Sequence, residues 1–360
     1  MNSRDKLVVR SRDQSTTVPV QSLDFSTLQT TWEKNNSYQI EFTAYDDDSL
    51  AFSLLTVENS VFWNGQEYII KQSTDGYSGG VHTLQITATH VFYQLNNRRQ
   101  NDVQKGDVSY TIQSALQFLT SPIQGYTFNV VGNLNSTQTL TDFGNCSIAD
   151  GLSTIASSFN VYAIVPDNYM VNLYSETSWT NDVHKQFFYR NNTSDVQLQY
   201  DSSTIVNRVQ VVSTNDTPQF APFYVTDDES IKQWGVRDGE RVENDKDNNT
   251  DPNVATAKAK MVTVPSLTLT VTVQENDVHM GDIWTLVIPD SGITTKVQVV
   301  SIVDTPFLKN NMQVTLNNTM QNFLDSFNAN SKQLANIQIQ NKNKGVSFNM
   351  WTVGKVTENG

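Results

Sequence analysis

The sequence predicts a mainly β, multi-domain chain with α+β parts. Apolar residues alternate with period two in many short segments separated by tight-turn residues, the pattern of half-buried strands. Two amphipathic helical stripes break that pattern near the middle of the chain. The length, 360 residues, suggests two to four units at roughly 100–200 residues each and leaves room for real cores.

Residues 1–97 are expected to form a first β-barrel domain. YQIEFTAY (38–45) places Tyr38, Ile40, Phe42 and Ala44 on one face. VFW-NG-QEYIIKQ (61–72) sets Asn64-Gly65 between two β-rich arms. Asn-Gly accepts the positive φ angles of a type I′ turn, so this is a hairpin. VHTLQITATHVFYQL (81–95) alternates again, with Leu84, Ile86, Ala88, His90 and Phe92 sharing a face over one long strand. Short strands joined by tight turns favour a small barrel or sandwich.

Residues 98–202 are expected to be an α+β domain. In SYTIQSALQFLTSP (109–122), Ile112, Ala115, Leu116 and Leu119 are at helical spacing, with Ser109 or Thr111 as N-cap and Pro122 beyond the end. TFNVVG (127–132) predicts a strand. CSIADGLSTIASSFN (146–160) puts Ile148, Leu152, Ile155, Ala156 and Phe159 on one helical stripe. VYAIVPD (161–167) and YMVNLYS (169–175) predict a strand pair.

Residues 203–318 are expected to form a second β-barrel domain with a polar insertion over about 215–260. Its strands are STIVNRVQVVST (203–214), VTVPSLTLTVTVQEN (262–276), the hairpin IWTLVIPDSGITTKVQVVSIVD (283–304) turning at Pro289-Asp290-Ser291-Gly292, and MQVTL (312–316). The charged stretch DDESIKQWGVRDGERVENDKDNNTDPN (227–253) is too long for an ordinary connection and predicts an exposed insertion. Residues 319–360 carry a helical pattern and then an apolar arm suited to lie on a neighbour.

Composition narrows the function. Hydrophobic residues are 38 % and charged residues 17 %, below the usual roughly 45–50 % and about 25 %, so uncharged polar residues fill the difference. Aromatics at 10 % exceed what a disordered chain carries. A net charge of −13 is the wrong footprint for gripping nucleic acid. No run of about 18 apolar residues occurs, so no membrane-spanning segment is expected. The start, MNSRDKLVVRSRDQ, lacks the apolar core of a secretory leader. One cysteine, Cys146, allows neither an intrachain disulfide nor a zinc cluster, and suits folding in a reducing cytoplasm. It is expected as a small buried hydrophobe.

Chemical motifs are sparse. His82, His90, His184 and His279 form no HxxxH or HExxH pair, and His90 is expected in the core. Asp245-x-Asp247-x-Asn249 opens like a calcium loop, but Thr250 and Thr256 stand where Gly and Glu are needed, so a solvated loop is expected. Asp46, Asp47 and Asp48 suit a cap or turn. No GxSxG elbow, Walker loop or GxGxxG occurs. Tyr77-Ser78-Gly79-Gly80 is a turn, and the sequons at Asn135 and Asn192 carry no meaning in so Asn/Thr-rich a chain. Trp63, Trp234, Trp284 and Trp351 could stack sugars, but burial is the expectation for each. No catalytic, cofactor-binding or metal-ligating residue is assigned, and no cofactor.

Taken in order, EYIIKQ (67–72) with LQITATHVFYQL (84–95), TIQSALQFLTSP (111–122), YTFNVVG (126–132), DFGNCSIADGLSTIASSFNVYAIVPDNYMVNLY (142–174), IVNRVQVV (205–212), the 222–235 segment and GDIWTLVIPDSGITTKVQVVSI (281–302) resemble the tail-hub family of bacteriophages and prophages. Its members are often called prophage endopeptidase tail or tail-associated lysin proteins. The resemblance runs from about residue 35 to 330. It implies a baseplate-hub fold with two small β-barrels and two accessory subdomains, and a homotrimer whose six barrels give quasi-sixfold symmetry. Such a ring docks on a hexameric distal tail protein at the virion tail tip, after assembly in the host cytoplasm. The tape-measure protein and then DNA leave through its channel, the DNA without specific binding. Members often carry a C-terminal receptor-binding or lytic module. This chain stops at Gly360 with no peptidase or glycosidase motif after the hub region, so the resemblance implies a structural protein rather than an enzyme. The alternatives are a carbohydrate-binding tail adhesin, with Trp234 as the residue to watch, or a tail-associated peptidoglycan hydrolase whose lytic domain is missing from this chain.

Overall fold

A computed structural model describes residues 6–134, 136–213, 218–244, 250–273, 277–308 and 312–317. The helix and arm expected over 319–360 lie outside the described residues, as do Trp351, Asn135, Asp245 and Asp247. The chain divides into two compact units. The first comprises Met1–Val196, Thr270–Trp284 and Val297–Leu316, and the second Gln197–Leu269, Thr285–Lys296 and Asn317–Gly360.

The first unit begins with β1 (Val8–Arg10), β2 (Thr17–Pro19), β3 (Leu23–Glu33), β4 (Ser37–Tyr45), the short helix α1 (Leu50–Ser53), β5 (Ser60–Trp63), β6 (Gln66–Ser78) and β7 (Val81–His90). Period-two burial drives these strands. Ile40, Phe42 and Ala44 of β4 and Leu84, Ile86 and Ala88 of β7 all face one core with Leu28, Val61 and Ile70. Asn64 (φ 49) and Gly65 (φ 79) make the expected β5–β6 turn, with both residues in the left-handed region. The long strand expected over 81–95 stops at His90. His90 Nδ1 accepts the Phe92 N–H at 3.2 Å, and the chain winds into a 3-10 helix, Val91–Asn97, which buries Val91 and Leu95.

Next come β8 (Arg99–Tyr110), α2 (Ile112–Thr120), β9 (Thr127–Val131), β10 (Gln138–Ser147), α3 (Ile148–Phe159), β11 (Ala163–Asp167), β12 (Met170–Tyr174) and α4 (Glu176–Trp179). Thr111 caps α2 in a reciprocal capping box with Ser114, and the Ser147 hydroxyl caps α3. Asn160, at φ 58, ends α3 in the left-handed conformation. The two apolar stripes pack together, with Leu119, Leu152, Ile155 and Phe159 over Val171 and Leu173 of the β11–β12–β9 sheet. β8 and β10 form a separate antiparallel ribbon with two register shifts. At one shift a Cβ on Gly144 would overlap the Asp102 carbonyl, so the close approach of the two backbones requires glycine there.

β13 (Asn181–Phe188) and β14 (Thr193–Asp201) precede the second unit's β15 (Arg208–Ser213), β16 (Phe223–Thr226), α5 (Asp228–Trp234), β17 (Val242–Asn244) and α6 (Thr250–Ala259). β15 pairs with β16 antiparallel and with β17 parallel. Val209, Val211, Val225, Val242 and Ala257 form their core. Within the charged stretch 227–253 most of the described side chains are exposed, yet the stretch is anchored at a few points. Asp227 caps α5 through Ser230 N–H, and Ser230 (4 %) and Val242 (5 %) are buried. A few inward residues suffice because the sheet behind them supplies the rest of the core.

β18 (Ser266–Val273), β19 (Asp282–Ile288), β20 (Ile293–Asp304) and β21 (Met312–Asn317) complete the set. β19 and β20 pair across a 3-10 turn at Pro289–Ser291, with Gly292 at φ 67. Ser301–Asp304 of β20 pairs antiparallel with Thr30–Glu33 of β3. In the first unit the strands run in the order β2-β1-β5-β6-β7-β4-β3-β20-β21. The β-rich, multi-domain class is as expected. Among the described residues the strands follow an open path and no ladder closes it into a barrel.

Candidate functional site

The described residues offer surfaces and seams rather than a reaction centre. β6 and β7 are longer than their neighbours. β4 pairs with β7 only as far as Tyr45 opposite Thr83, so the strand pairing of Tyr77, Ser78 and Val81 lies within the hairpin, while the His82 carbonyl also accepts the Asp46 N–H. This end of the hairpin projects from the sheet. It carries Tyr77, 75 % exposed, and Val81, 48 % exposed. Tyr77 stacks on His82 with ring centroids 4.4 Å apart. The β8–β10 ribbon is a second outlying element, exposed through most of β8.

A polar seam joins the β5–β6 turn to the β11–β12 turn. Asn168, at φ 52, sits at its centre. Its Oδ1 accepts the Glu67 N–H at 2.8 Å, its Nδ2 donates to the Gly65 carbonyl at 2.9 Å, and its own N–H reaches Gln66 Oε1 at 3.1 Å. The buried Glu67 carboxylate accepts from Arg10 (2.6 Å), Ser60 (2.7 Å) and Tyr169 (3.2 Å). The Glu67 carboxylate and the Asn168 amide are thus matched, as buried polar groups generally are. Asn35 makes a second join: its Nδ2 donates to Tyr162 O at 3.1 Å and its Oδ1 accepts the Ile164 N–H at 2.8 Å. Nearby lies a groove of about 540 Å³, lined by Trp32, Asn36, Tyr93, Leu152 and Ser157 among others. The Tyr93 hydroxyl there is spent on the Asn36 carbonyl.

Two of the histidines have both ring nitrogens engaged by neighbouring groups. His90 is fully buried, as expected, and its Nε2 lies 2.9 Å from Gln66 Oε1. Since Nδ1 accepts from Phe92, Nε2 holds the proton and the ring is neutral. Burial lowers its pKa to about 4, against the opposing charge of Asp167. Both nitrogens of His82 are taken by carboxylates, Asp46 Oδ2 at 2.7 Å and Asp75 Oδ1 at 2.8 Å, which leaves no nitrogen to act on a substrate. Asp46 and Asp47 make the expected turn by accepting the N–H groups of Asp48 and Ser49. Among the described residues no group of three His, Cys, Asp or Glu side chains could hold a metal ion.

Two of the described tryptophans face inward. Trp63 is 3 % and Trp284 1 % exposed, the latter stacked on Phe187 at 4.2 Å, so neither can stack a sugar. Trp234 is half-buried at the end of α5. Cys146 is partly buried against the α2–α3 core, and burial raises its thiol pKa, with Asp150 adding to the rise. Sequence reasoning found none of the seam residues. Their partners lie about 100 positions away, beyond the reach of local patterns.

The family description "Prophage endopeptidase tail N-terminal domain" matches residues 7–90, and "Prophage endopeptidase tail" matches residues 181–327. A comparison with curated protein sequences finds no match. Among solved structures, prophage tail protein gp18 from Listeria monocytogenes is similar at 20 % identity and a TM-score of 0.66, over 92 % of this chain and 100 % of that one. The 43 kDa tail protein of prophage MuSo2 from Shewanella oneidensis is similar at 10 % identity and a TM-score of 0.63, over 87 % and 97 %. The E. coli c3393 protein gives 10 % identity and a TM-score of 0.51 over 88 % and 78 %. That protein is described as a type VI secretion component structurally similar to the T4 tail proteins gp27 and gp5. At these identities the likeness is one of fold.

Proposed function

The chain belongs to the prophage endopeptidase tail family, and from that premise we propose that it is a structural hub of the tail tip, without hydrolytic activity. The observation that carries this reading is a fold shared along nearly the whole chain with prophage tail proteins. Three copies form a ring around a channel. The ring docks on the distal tail protein, and the tape-measure protein and DNA leave through it. The chain is made in the host cytoplasm and ends at the virion tail tip. A receptor-binding or lytic module, attached or recruited, is a further partner of the ring.

The physics of the chain supports this. At −13 per copy, three copies carry roughly −39 before counterions screen it. Such a wall lets DNA pass without gripping its phosphates. The rigid seams at Asn168 and Asn35 suit a part whose purpose is to hold shape under load. Light scattering on the full chain tests the proposal: a mass near three chains of 40.5 kDa is expected, and a monomer stable to concentration would overturn it. Incubation with purified cell walls tests the absence of hydrolysis; release of muropeptides or sugars would make the chain an enzyme instead.

A further inference from the structure

The projecting end of the β6–β7 hairpin is held by one side chain in an unusual way. His82 lies on β7 between two carboxylates, with Nδ1 2.7 Å from Asp46 Oδ2 and Nε2 2.8 Å from Asp75 Oδ1. Asp75 belongs to β6, within the hairpin. Asp46 belongs to the turn after β4, outside it, and its N–H also donates to the His82 carbonyl at 3.0 Å. One ring therefore ties the projecting end both to itself and to the body of the sheet. Tyr77 of β6 stacks on the imidazole, and Phe52 of α1 meets it edge-on at 5.2 Å.

A carboxylate oxygen accepts and does not donate. An imidazole that serves two carboxylates at once must present N–H groups at both nitrogens, which only the cation can do. We propose that His82 is a pH-sensitive pin: as the imidazolium it fastens the projecting end of the hairpin to the turn after β4, and on losing its proton it releases one of the two carboxylates and loosens that end. The neutral ring has one N–H, so either Asp46 or Asp75 is left facing a lone pair. Tyr77 and Val81, the exposed apolar side chains of this end, move with it.

The groups around the ring favour the cation. Asp75 and Asp46 raise the His82 pKa, the hydrogen bond to Asp75 first, and His82 in turn lowers that of Asp46. Asp47 and Asp48 add negative charge on the Asp46 turn, while Phe52 and Tyr77 present neutral rings. The nearest lysine on β6, Lys71, is engaged with Glu58 at 2.7 Å. A histidine pKa raised in the folded state gives a contribution that is complete below about 6.5, the unfolded value, and is lost as pH rises through the folded value.

Hydrogen–deuterium exchange of the full chain between pH 5.5 and 9, corrected for the intrinsic pH dependence of exchange, tests this. The protection of residues 74–83 is expected to fall about 2–5-fold as pH rises, the scale of an exposed ion pair, while the β5–β6 core peptide containing Val61 and Ile70 stays unchanged. In His82→Gln the same peptide should show low protection with no pH step. In Asp75→Asn, where one carboxylate remains, the step should move to lower pH. Constant protection in the wild type overturns the proposal, as does an unchanged pH step in His82→Gln. A matching fall in the core peptide also overturns it, since that is global loosening rather than release of a pin.

Discussion

Replacing Asn168 separates two contributions that the seam combines. The side chain makes two hydrogen bonds, to Glu67 N–H and Gly65 O. Each contributes about 1 kcal/mol net, and more where its loss strands a buried partner. The backbone sits at φ 52, a conformation that costs an ordinary L-residue about 1–2 kcal/mol and glycine nothing. Asn168→Gly removes the bonds and keeps the backbone relaxed, so a loss of about 2 kcal/mol is expected. Asn168→Ala removes the bonds and imposes strain as well, for about 3–4 kcal/mol. The measurement is urea unfolding of the full chain, followed by Trp fluorescence and by exchange of the 64–68 and 165–170 peptides. The glycine variant reads the hydrogen bonds, and the gap to alanine reads the backbone. If both variants lie within about 0.5 kcal/mol of the wild type, Asn168 does not hold the seam; if alanine and glycine are equally destabilising, the strain at this position is refuted.

Other expectations follow from the same structure. His90 is neutral in the fold with a pKa near 4. Acidification from about 6.5 towards 4 therefore favours the unfolded chain, by on the order of 3 kcal/mol at the low end. His90→Gln should flatten that part of the stability–pH curve in urea titrations, and an unchanged slope would place the titrating group elsewhere. Trp284→Ala opens a cavity against Phe187 and should cost about 3–5 kcal/mol, read as a lowered urea midpoint; a loss under about 1 kcal/mol would mean the site collapses around the change. Cys146, partly buried with a raised pKa, should react with iodoacetamide at pH 8 several-fold more slowly than the same thiol in urea, and equal rates would contradict its packing.

What the sequence made legible was local. Asn64-Gly65, the Thr111 cap and the stripe from Ile148 to Phe159 are each decided within a few residues, by φ preference, orphan N–H groups and helical spacing. The β8–β10 ribbon escaped notice because RQNDVQKGDVSY has no apolar face: its pairing is backbone to backbone, with most of β8 left in water. The 3-10 turn at 91–97 hid inside an apolar run that continues the period of β7. The charge of residues 227–253 announces the exposure that most described side chains there have, but it hides buried residues, Ser230 and Val242 among them, that anchor the stretch to a core built by others. The surfaces of the candidate site depend on where strands end relative to one another, which no single strand encodes.

The pairing of β3 with β20 sets a timetable for synthesis. Glu33 meets Ser301, about 270 residues later, and at ~5–20 residues per second the ribosome needs roughly 15–55 s to deliver the partner. Through that interval one side of β3 has an unfilled row of amides and carbonyls. Where many copies are made at once, that waiting edge is where nascent chains would meet each other, so the order of translation is itself a hazard this topology has to survive.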